Sequence, residues 1–264
     1  MGQQISLDQL LKHIPLVEAI SCKERQYLAD ASKLVRQPKG SHVFKRGDRA
    51  TGLYVVITGQ IKIVIPGVQE HDKVIEFFRA GQHFGEAVMF LDHPYLIDAQ
   101  ALEDTLLVLI GRDALLSVMA SNALFMKKIL DGLALRFETL LHDIEVVNLP
   151  SAAARVADYL LRNSTMHHEI DLSIPKRTIA SKLGLQPETF SRALHQLSDE
   201  KCIVVDKAKI TIINREALMR HAPQLDMADK ILSVEHQSLS QQHKSLPVPD
   251  WSNPVSLKYS ECGF

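Results

Sequence analysis

Three side chains with complementary hydrogen-bonding chemistry lie close together near position 190. Glu188, Ser191 and Arg192 have the spacing that places residues on one face at the start of a helix. A carboxylate accepts from the N4 amino group of cytosine, and a guanidinium donates two hydrogen bonds to O6 and N7 of guanine. These residue types in this spacing predict the reading of base edges in the major groove of duplex DNA.

Basic and hydroxyl side chains surround this segment. Between residues 175 and 209 there are 7 basic and 4 acidic residues, a local charge of +3 in a chain whose net charge is -1. A local excess of cations suits the phosphate backbone, which fixes the register of a protein on DNA. We predict phosphate contacts from Lys176, Arg177, Thr178, Lys182, Thr189, Lys207 and Lys209.

The surrounding sequence is typical of a helix-turn-helix. Ala180 is small where two crossing helices must touch, Gly184 tolerates the positive φ of the turn, and Pro187 suits the first turn of a helix. Two short strands, 202–205 and 210–213, follow as a hairpin and would add a wing. An ordinary helical hairpin with a charged face is the alternative, but the agreement of spacing, charge and hairpin favours the winged helix-turn-helix.

A long helix precedes this domain. Its apolar residues recur at intervals of 4, 3, 4, 3, 4 and 3, which is a heptad seam. Such a stripe needs a partner helix, most economically a second copy of the chain in a two-fold dimer, although an intramolecular helix bundle is the alternative. Pro150 then ends the helix, and Ser151 can cap the next one. The predicted dimer interface consists of Met126, Leu130, Leu133, Phe137, Leu140, Ile144 and Val147.

The N-terminal half predicts two short helices followed by β structure. Residues 5–34 keep helical spacing, and Ser21 with Glu24 forms a capping box for the second helix. From residue 35 to 111, runs of alternating apolar residues are separated by turns, and 7 of the 12 glycines lie between Gly40 and Gly85. This pattern favours an antiparallel sandwich or barrel.

Composition and missing motifs exclude several classes of protein. With 264 residues, 46% of them hydrophobic and 23% charged, the chain is globular and suggests roughly two domains. Three cysteines cannot supply the four thiolates of an iron–sulfur cluster. The absence of a signal segment and of a long apolar run predicts a cytoplasmic protein with no membrane partner. A cupin-like metal enzyme is the alternative of another class, but no nucleophile elbow, His-Glu-x-x-His, Gly-rich phosphate loop or His-x-His pair occurs, so we predict no catalytic residues.

The order of these parts resembles the CRP/FNR family of bacterial transcription regulators over about residues 10–218. The resemblance rests on Gly47-Asp48, on Gly52-Leu53-Tyr54-Val55-Val56-Ile57-Thr58-Gly59, on Phe84-Gly85-Glu86 and on Glu188-Thr189-Phe190-Ser191-Arg192. It implies an α+β fold with a cyclic-nucleotide-binding-like β-roll (jelly roll), a long dimerisation helix and a winged helix-turn-helix. The corresponding segments are 1–111 with the N-terminal helices, 112–148, 149–220 and a C-terminal extension, 221–264, that we expect to be largely flexible.

The resemblance also implies a function. A homodimer would read a TTGAT-like inverted repeat whose half-sites lie about 34 Å apart, which is one helical turn. RNA polymerase would be a further partner. A signal bound in the β-roll would bias the arrangement of the two DNA-reading domains. The alternative is a module of the same fold that binds DNA without any effector.

Three signals compete for the β-roll. A cyclic nucleotide would need a cation after Gly85-Glu86, but residues 86–111 contain no Arg or Lys, and a buried phosphodiester without a cation is costly. An iron–sulfur sensor would need several N-terminal cysteines, and only Cys22 lies there. Stretches within 87–101 and 185–192 look most like the dissimilatory nitrate respiration regulator branch, which is associated with haem-dependent sensing of nitric oxide.

Haem would need an axial imidazole beside an apolar pocket. His13 is the first candidate ligand, with His71, His83 and His93 as further candidates, although each is equally suited to a surface or loop position. The predicted effector pocket consists of Phe84, Gly85, Glu86, Met89 and Phe90, whose apolar members would also suit a plain core.

Overall fold

The computed structural model describes residues 6–67, 72–165, 168–171, 174–207 and 209–222. The chain divides into two compact units, Met1–Leu141 and His142–Phe264. His71 and all but the first two residues of the predicted extension 221–264 lie outside the described residues. Within the described part, none of the helices has both the length and the apolar run that a membrane crossing requires.

The first unit begins with helices α1 (Leu7–Lys12) and α2 (Cys22–Asp30), with a 3₁₀ turn at Pro15–Val17 between them. The predicted capping box of α2 is confirmed. The Ser21 N–H donates to Glu24 Oε2 at 2.7 Å, and the Glu24 N–H donates to Ser21 Oγ at 3.3 Å. Two otherwise unpaired N–H groups at the start of the helix are therefore satisfied.

Eight strands then form two four-stranded antiparallel sheets, as the alternating pattern predicted. The sheet orders are β1-β8-β3-β6 and β2-β7-β4-β5. The first strand starts earlier than residue 35, because Ser32 already pairs with Ile110. The strands are β1 (Ser32–Gln37), β2 (His42–Phe44), β3 (Gly52–Thr58), β4 (Gln60–Ile65), β5 (Lys73–Arg79), β6 (His83–Phe84), β7 (Asp98–Ala101) and β8 (Thr105–Gly111).

Aromatic rings fill the interior of this β-roll. Phe44 stacks on Tyr95 with ring centroids 3.5 Å apart, and Tyr54 stacks on Phe84 at 5.3 Å. Phe78 reaches the same group, with its ring centroid 5.2 Å from that of Phe84. Large rings bury much apolar area each, so this cluster holds the two sheets together.

The predicted single helix over 112–148 is wrong, because the chain forms two helices. Helix α4 (Arg112–Ser121) and helix α5 (Ala123–Val147) are separated by Asn122, whose backbone is extended. The Phe125 N–H donates to Asn122 Oδ1 at 3.0 Å, and Asn122 Nδ2 donates to the Ala19 carbonyl at 3.2 Å. The Asn122 side chain caps the start of α5, and this hydrogen bond competes with the backbone bonds that would continue α4. The chain therefore breaks into two helices at this residue.

The second unit is the predicted winged helix-turn-helix. The Ala154 N–H donates to Ser151 Oγ at 3.0 Å, which confirms the predicted cap, and α8 begins at Pro187. The two wing strands, β10 (Ile203–Asp206) and β11 (Lys209–Ile212), are each one residue away from their predicted bounds. A third strand, β9 (Glu169–Asp171), pairs with β11 and was not predicted. The elements are α6 (Ala152–Asn163), β9 (Glu169–Asp171), α7 (Lys176–Lys182), α8 (Pro187–Asp199), β10 (Ile203–Asp206), β11 (Lys209–Ile212) and α9 (Arg215–His221).

Candidate functional site

The turn between α7 and α8 has the geometry that the sequence predicted. Gly184 has φ 66°, in the left-handed region that favours glycine. Its N–H donates to the Ser181 carbonyl at 3.1 Å, and the Leu185 N–H donates to the Ala180 carbonyl at 2.9 Å. These two bonds form a Schellman motif, which ends α7 and redirects the chain into α8. Ala180 is fully buried at the helix contact.

The predicted base-reading residues share one exposed face of α8. Glu188, Ser191 and Arg192 are all exposed, while Phe190 and Ala193 point into the core. The Arg192 guanidinium lies 3.4 Å from Thr189 Oγ1, its neighbour one turn earlier. His195 is also exposed and lies on the same face, two turns after Glu188, although the sequence analysis did not select it. The face therefore offers an acceptor, a hydroxyl and a guanidinium to a groove.

The predicted phosphate contacts fall into two groups. Lys176 and Arg177 are exposed in the first turn of α7, and Lys207 and Lys209 are exposed on the wing. Lys209 Nζ lies 2.7 Å from Glu169 Oε1, an exposed pair that solvent screens strongly. Thr189 is half-buried on α8.

Two predicted phosphate contacts are directed into the unit instead. Lys182 Nζ donates to Asp143 Oδ2 at 2.6 Å, and its side chain is only 13% exposed. Thr178 lies on the inner face of α7 and is buried. In this conformation neither side chain is presented to a DNA backbone.

Polar contacts tie the helix-turn-helix to the last turns of α5. Asp158 on α6 is buried and accepts from His142 Nε2 at 3.0 Å. Arg155 donates to the Leu149 carbonyl at 3.2 Å and to the Leu183 carbonyl at 3.4 Å. The two Arg155 bonds satisfy carbonyls at the ends of α5 and α7, while the Lys182–Asp143 and His142–Asp158 contacts join side chains of α5 to α7 and α6. Sequence reasoning missed them because their partners are separated by up to 39 residues.

The residues predicted to line the effector pocket occupy the interior of the roll. Phe84 and Met89 are buried, and Phe90 is half-buried on the short helix α3 (Glu86–Phe90). Gly85 caps that helix with φ 91°. A Cβ at this position would lie 3.2 Å from the Tyr95 hydroxyl and 3.3 Å from the Tyr54 ring, so the close approach requires glycine.

Glu86 is the charged centre of this region, with 0% of its surface exposed. Arg136, which α5 contributes, donates from Nη1 to Glu86 Oε1 and from Nη2 to the His83 carbonyl. His83 Nδ1 lies 3.5 Å from the same carboxylate oxygen, and the guanidinium carbon lies 5.0 Å from the centre of the Phe78 ring. The roll therefore does meet a cation, but this arginine is only half-buried and comes from 50 residues further along the chain.

The ion pair determines the charge state of Glu86. Burial opposes ionisation, but the hydrogen bond from His83 and the charge of Arg136 outweigh it and lower the pKa of Glu86 to about 2. The carboxylate is therefore charged at neutral pH and balances the arginine.

Two polar atoms near this pair have no hydrogen-bond partner among the described residues. They are Glu86 Oε2 and the Tyr95 hydroxyl, and both are buried. Burial raises the pKa of Tyr95, so its phenol remains a donor. Buried polar atoms without partners are costly, so this corner of the roll suits a small molecule or water with hydrogen-bonding groups.

The structure does not bring together a haem site from the predicted residues. His13 directly follows helix α1 and is exposed on its outer side, while partial desolvation of its ring together with the charges of Lys12 and Arg25 lowers its pKa, which favours the neutral imidazole. The pocket residues Phe84 and Met89 form part of the packed core, so a porphyrin could enter only by displacing them. Haem therefore does not fit the roll in this conformation.

We predict that Arg136→Met lowers the free energy of unfolding by about 3–5 kcal/mol at neutral pH, because it leaves a buried carboxylate without its cation. In the wild type, the folded-state pKa of Glu86 is below its ordinary value of 4.5, so its contribution is present above that pH and is lost as pH falls toward about 2. In the variant, protonation of Glu86 relieves the cost. Urea unfolding measured from pH 7 downward should therefore show that the difference in unfolding free energy between the wild type and Arg136→Met shrinks as the pH falls.

Arg112→Met is the matched control for this prediction. Arg112 pairs with Asp92, whose side chain is 65% exposed, so its loss should cost no more than about 1 kcal/mol. The role assigned to the Arg136–Glu86 pair would be contradicted if both variants lost a similar amount of unfolding free energy. It would also be contradicted if the loss in Arg136→Met did not depend on pH.

Comparisons with known proteins agree with both halves of this structure. Residues 34–122 match the family model of the cyclic nucleotide-binding domain, and residues 154–221 match that of the Crp-like helix-turn-helix domain. The fumarate and nitrate reduction regulatory protein of Vibrio cholerae is 28% identical over 192 residues, which cover 70% of this chain and 76% of that protein.

Solved structures extend the similarity over most of the chain. FixK2 from Bradyrhizobium japonicum matches with a TM-score of 0.65 and 23% identity, and the match covers 72% of this chain and 97% of that one. DNR from Pseudomonas aeruginosa matches with 33% identity and a TM-score of 0.44, covering 84% of this chain and 100% of that one. A β-roll, a long helix and a Crp-like helix-turn-helix in this order are the parts of a transcription regulator and not of an enzyme. The chain belongs to the CRP/FNR family of transcription regulators.

Proposed function

We propose that this protein is a homodimeric regulator that reads a TTGAT-like inverted repeat through Glu188, Ser191 and Arg192. The observation that carries the proposal is the exposed face of α8, on which these three side chains lie together and which none of the described elements of the second unit covers. Exposed Lys176 and Arg177 at the start of α7 add cations for the phosphates that flank the groove.

The half-site chemistry fits the side chains. A TTGAT half-site contains one G·C pair. A guanidinium pairs with O6 and N7 of guanine, and a carboxylate accepts from N4 of cytosine, so Arg192 and Glu188 suit the two bases of that one pair. Ser191 lies between them and can bond to either a donor or an acceptor. We therefore assign sequence specificity chiefly to the G·C position.

The dimer is supported by the uncovered apolar row on α5. Within the described residues, Met126, Leu130, Phe137, Leu140 and Ile144 are all exposed, while Leu133 and Val147 are half-buried. All seven were predicted as interface positions from their heptad spacing. A second copy related by a two-fold axis would cover each row with the other. It would also present two equivalent α8 helices, which matches an inverted repeat.

We infer that the roll senses a signal other than a cyclic nucleotide. Residues 34–122 match the family model of a cyclic nucleotide-binding domain, and the Gly85-Glu86 pair on which the resemblance partly rests is present. Residues 86–111 contain no Arg or Lys, and the guanidinium of Arg136 is already balanced by Glu86. A buried phosphodiester would have to break that ion pair to gain a cation, which argues against this ligand.

Arg192→Ala should weaken binding to the TTGAT palindrome by about 1–3 kcal/mol while leaving binding to a scrambled duplex nearly unchanged. Lys176→Ala is the matched control, because loss of a phosphate contact should weaken binding to both duplexes alike and lower the salt dependence. Fluorescence anisotropy on both duplexes at several salt concentrations measures these effects. If Arg192→Ala and the wild type discriminate the two duplexes equally, the assignment of the reading residues is wrong.

Haem-bound nitric oxide is the signal that the resemblance to the nitrate respiration branch suggests. The packed core around Phe84 and Met89 predicts that ferrous haem added to the anaerobic protein shows only the spectrum of free haem. A saturable, stoichiometric Soret band that is weakened or shifted by His13→Ala would contradict this expectation and would establish haem as the cofactor. Phe90→Ala is a control that alters the predicted pocket without removing an imidazole.

A further inference from the structure

Three metal-ligating side chains come together in the second unit, away from the face that reads DNA. They are Glu200, Cys202 and His221, and their ligand atoms all lie within 4.8 Å of one another. The set offers one carboxylate oxygen, one sulfur and one imidazole nitrogen. None of the three side chains has a role in the base-reading face.

The end of α8 places the first two ligands. The Lys201 N–H donates to the Ser198 carbonyl and the Cys202 N–H to the Leu197 carbonyl, each at 2.9 Å, which forms a Schellman motif. Lys201 has φ 57°, so the chain reverses sharply between Glu200 and Cys202. The turn brings these two side chains to the same end of the helix.

Helix α9 supplies the third ligand. Asn214 caps this helix by accepting from the Ala217 N–H at 2.9 Å, and His221 lies in its last turn. The Asn214 N–H donates to the Cys202 carbonyl at 3.1 Å, which ties the start of α9 to the same turn. His221 Nε2 consequently lies 2.6 Å from Glu200 Oε2.

We propose that Glu200, Cys202 and His221 bind one zinc-class divalent metal ion. Sulfur, nitrogen and carboxylate oxygen are the donors that Zn²⁺ prefers, and three protein ligands leave one tetrahedral position for water. Bonds of about 2.0–2.3 Å require donor atoms roughly 3.3–3.7 Å apart. The exposed Glu200 side chain must therefore move away from His221 slightly, and Cys202 binds as the thiolate after releasing its proton to solvent.

The position of the site gives the metal a structural consequence. Cys202 immediately precedes wing strand β10, Glu200 directly follows α8, and His221 is the last residue of α9. A bound ion would therefore join the reading helix, the wing and the final described helix at one point. The competing interpretation is a hydrogen-bonded Glu200–His221 pair beside a buried cysteine, which would give no metal affinity.

Cobalt substitution tests the proposal with the full-length protein. After removal of metal with a chelator, Co²⁺ should bind one per chain and give a sulfur-to-cobalt charge-transfer band, and Zn²⁺ should displace it. Cys202→Ser should abolish the band, and His221→Ala or Glu200→Gln should weaken binding by about 100-fold or more, beyond the usual effect of losing an outer-shell group. Cys22→Ser and His195→Ala are the matched controls, because both residues are exposed and lie outside the cluster.

Folding of each variant is checked by far-ultraviolet circular dichroism and by the metal-free Tm. If the buried Cys202 variant unfolds, the exposed Glu200→Gln variant decides the question. Zn²⁺ should also raise the Tm of the wild type and of the two controls, but not that of the site variants. The proposal is overturned if the wild type gives no charge-transfer band, or if binding persists unchanged in Glu200→Gln and His221→Ala.

Discussion

The apolar row along α5, which the described residues leave uncovered, is the constraint on which the organisation of this regulator depends. Phe137 is 63% exposed, and Leu130 and Ile144 are exposed on the same side of the helix. Burying a side chain of this size stabilises by about 1.5–3 kcal/mol, so a single copy leaves a large stabilisation unused. A two-fold pairing of α5 helices would recover it. Such a pairing also explains why a reader with one recognition helix per chain would require an inverted repeat.

The same helix carries the residue that reaches into the β-roll. Arg136 lies one residue before the exposed Phe137 and pairs with the buried Glu86. A buried ion pair contributes little net stability but is costly to break, so it fixes how α5 meets the roll. In a dimer paired along α5, a signal would act only by binding more tightly to one of two arrangements of the protein, and this contact is a place where two arrangements could differ. The unpartnered Glu86 Oε2 and Tyr95 hydroxyl mark the corner where such a signal would find hydrogen-bonding groups.

The sequence predicted best those features that short segments determine. Gly184, Pro187 and Ser151 act through turns and caps within a few residues, and the structure places each as predicted. The heptad row was equally readable, since periodicity is a property of one helix. The break at Asn122 was missed because apolar residues occur on both sides of it, and the capping hydrogen bond that its side chain makes is not visible in the apolar spacing. The strand β9 is only three residues long and gains its pairing from β11.

Contacts between distant segments were beyond the sequence analysis. The segment of the roll that follows Gly85, residues 86–111, contains no Arg or Lys, whereas Arg136 reaches Glu86 from another element. Lys182 has the residue type of a phosphate contact, but its partner Asp143 lies on α5 and holds it inside the unit. The predicted pocket residues Phe84 and Met89 were correctly placed in the roll, yet they fill its core. Residue type alone does not distinguish a lining side chain from a core side chain.

Sedimentation equilibrium of Phe137→Glu beside Leu96→Glu tests the central claim most directly. Leu96 is 62% exposed on the roll and matches Phe137 in exposure, so both variants place the same charge on an equally exposed apolar site. The account predicts that Phe137→Glu is monomeric and loses binding to the TTGAT palindrome, while Leu96→Glu behaves as the wild-type dimer. A Phe137→Glu protein that remains dimeric, or a wild-type protein that binds the palindrome as a monomer, would contradict it.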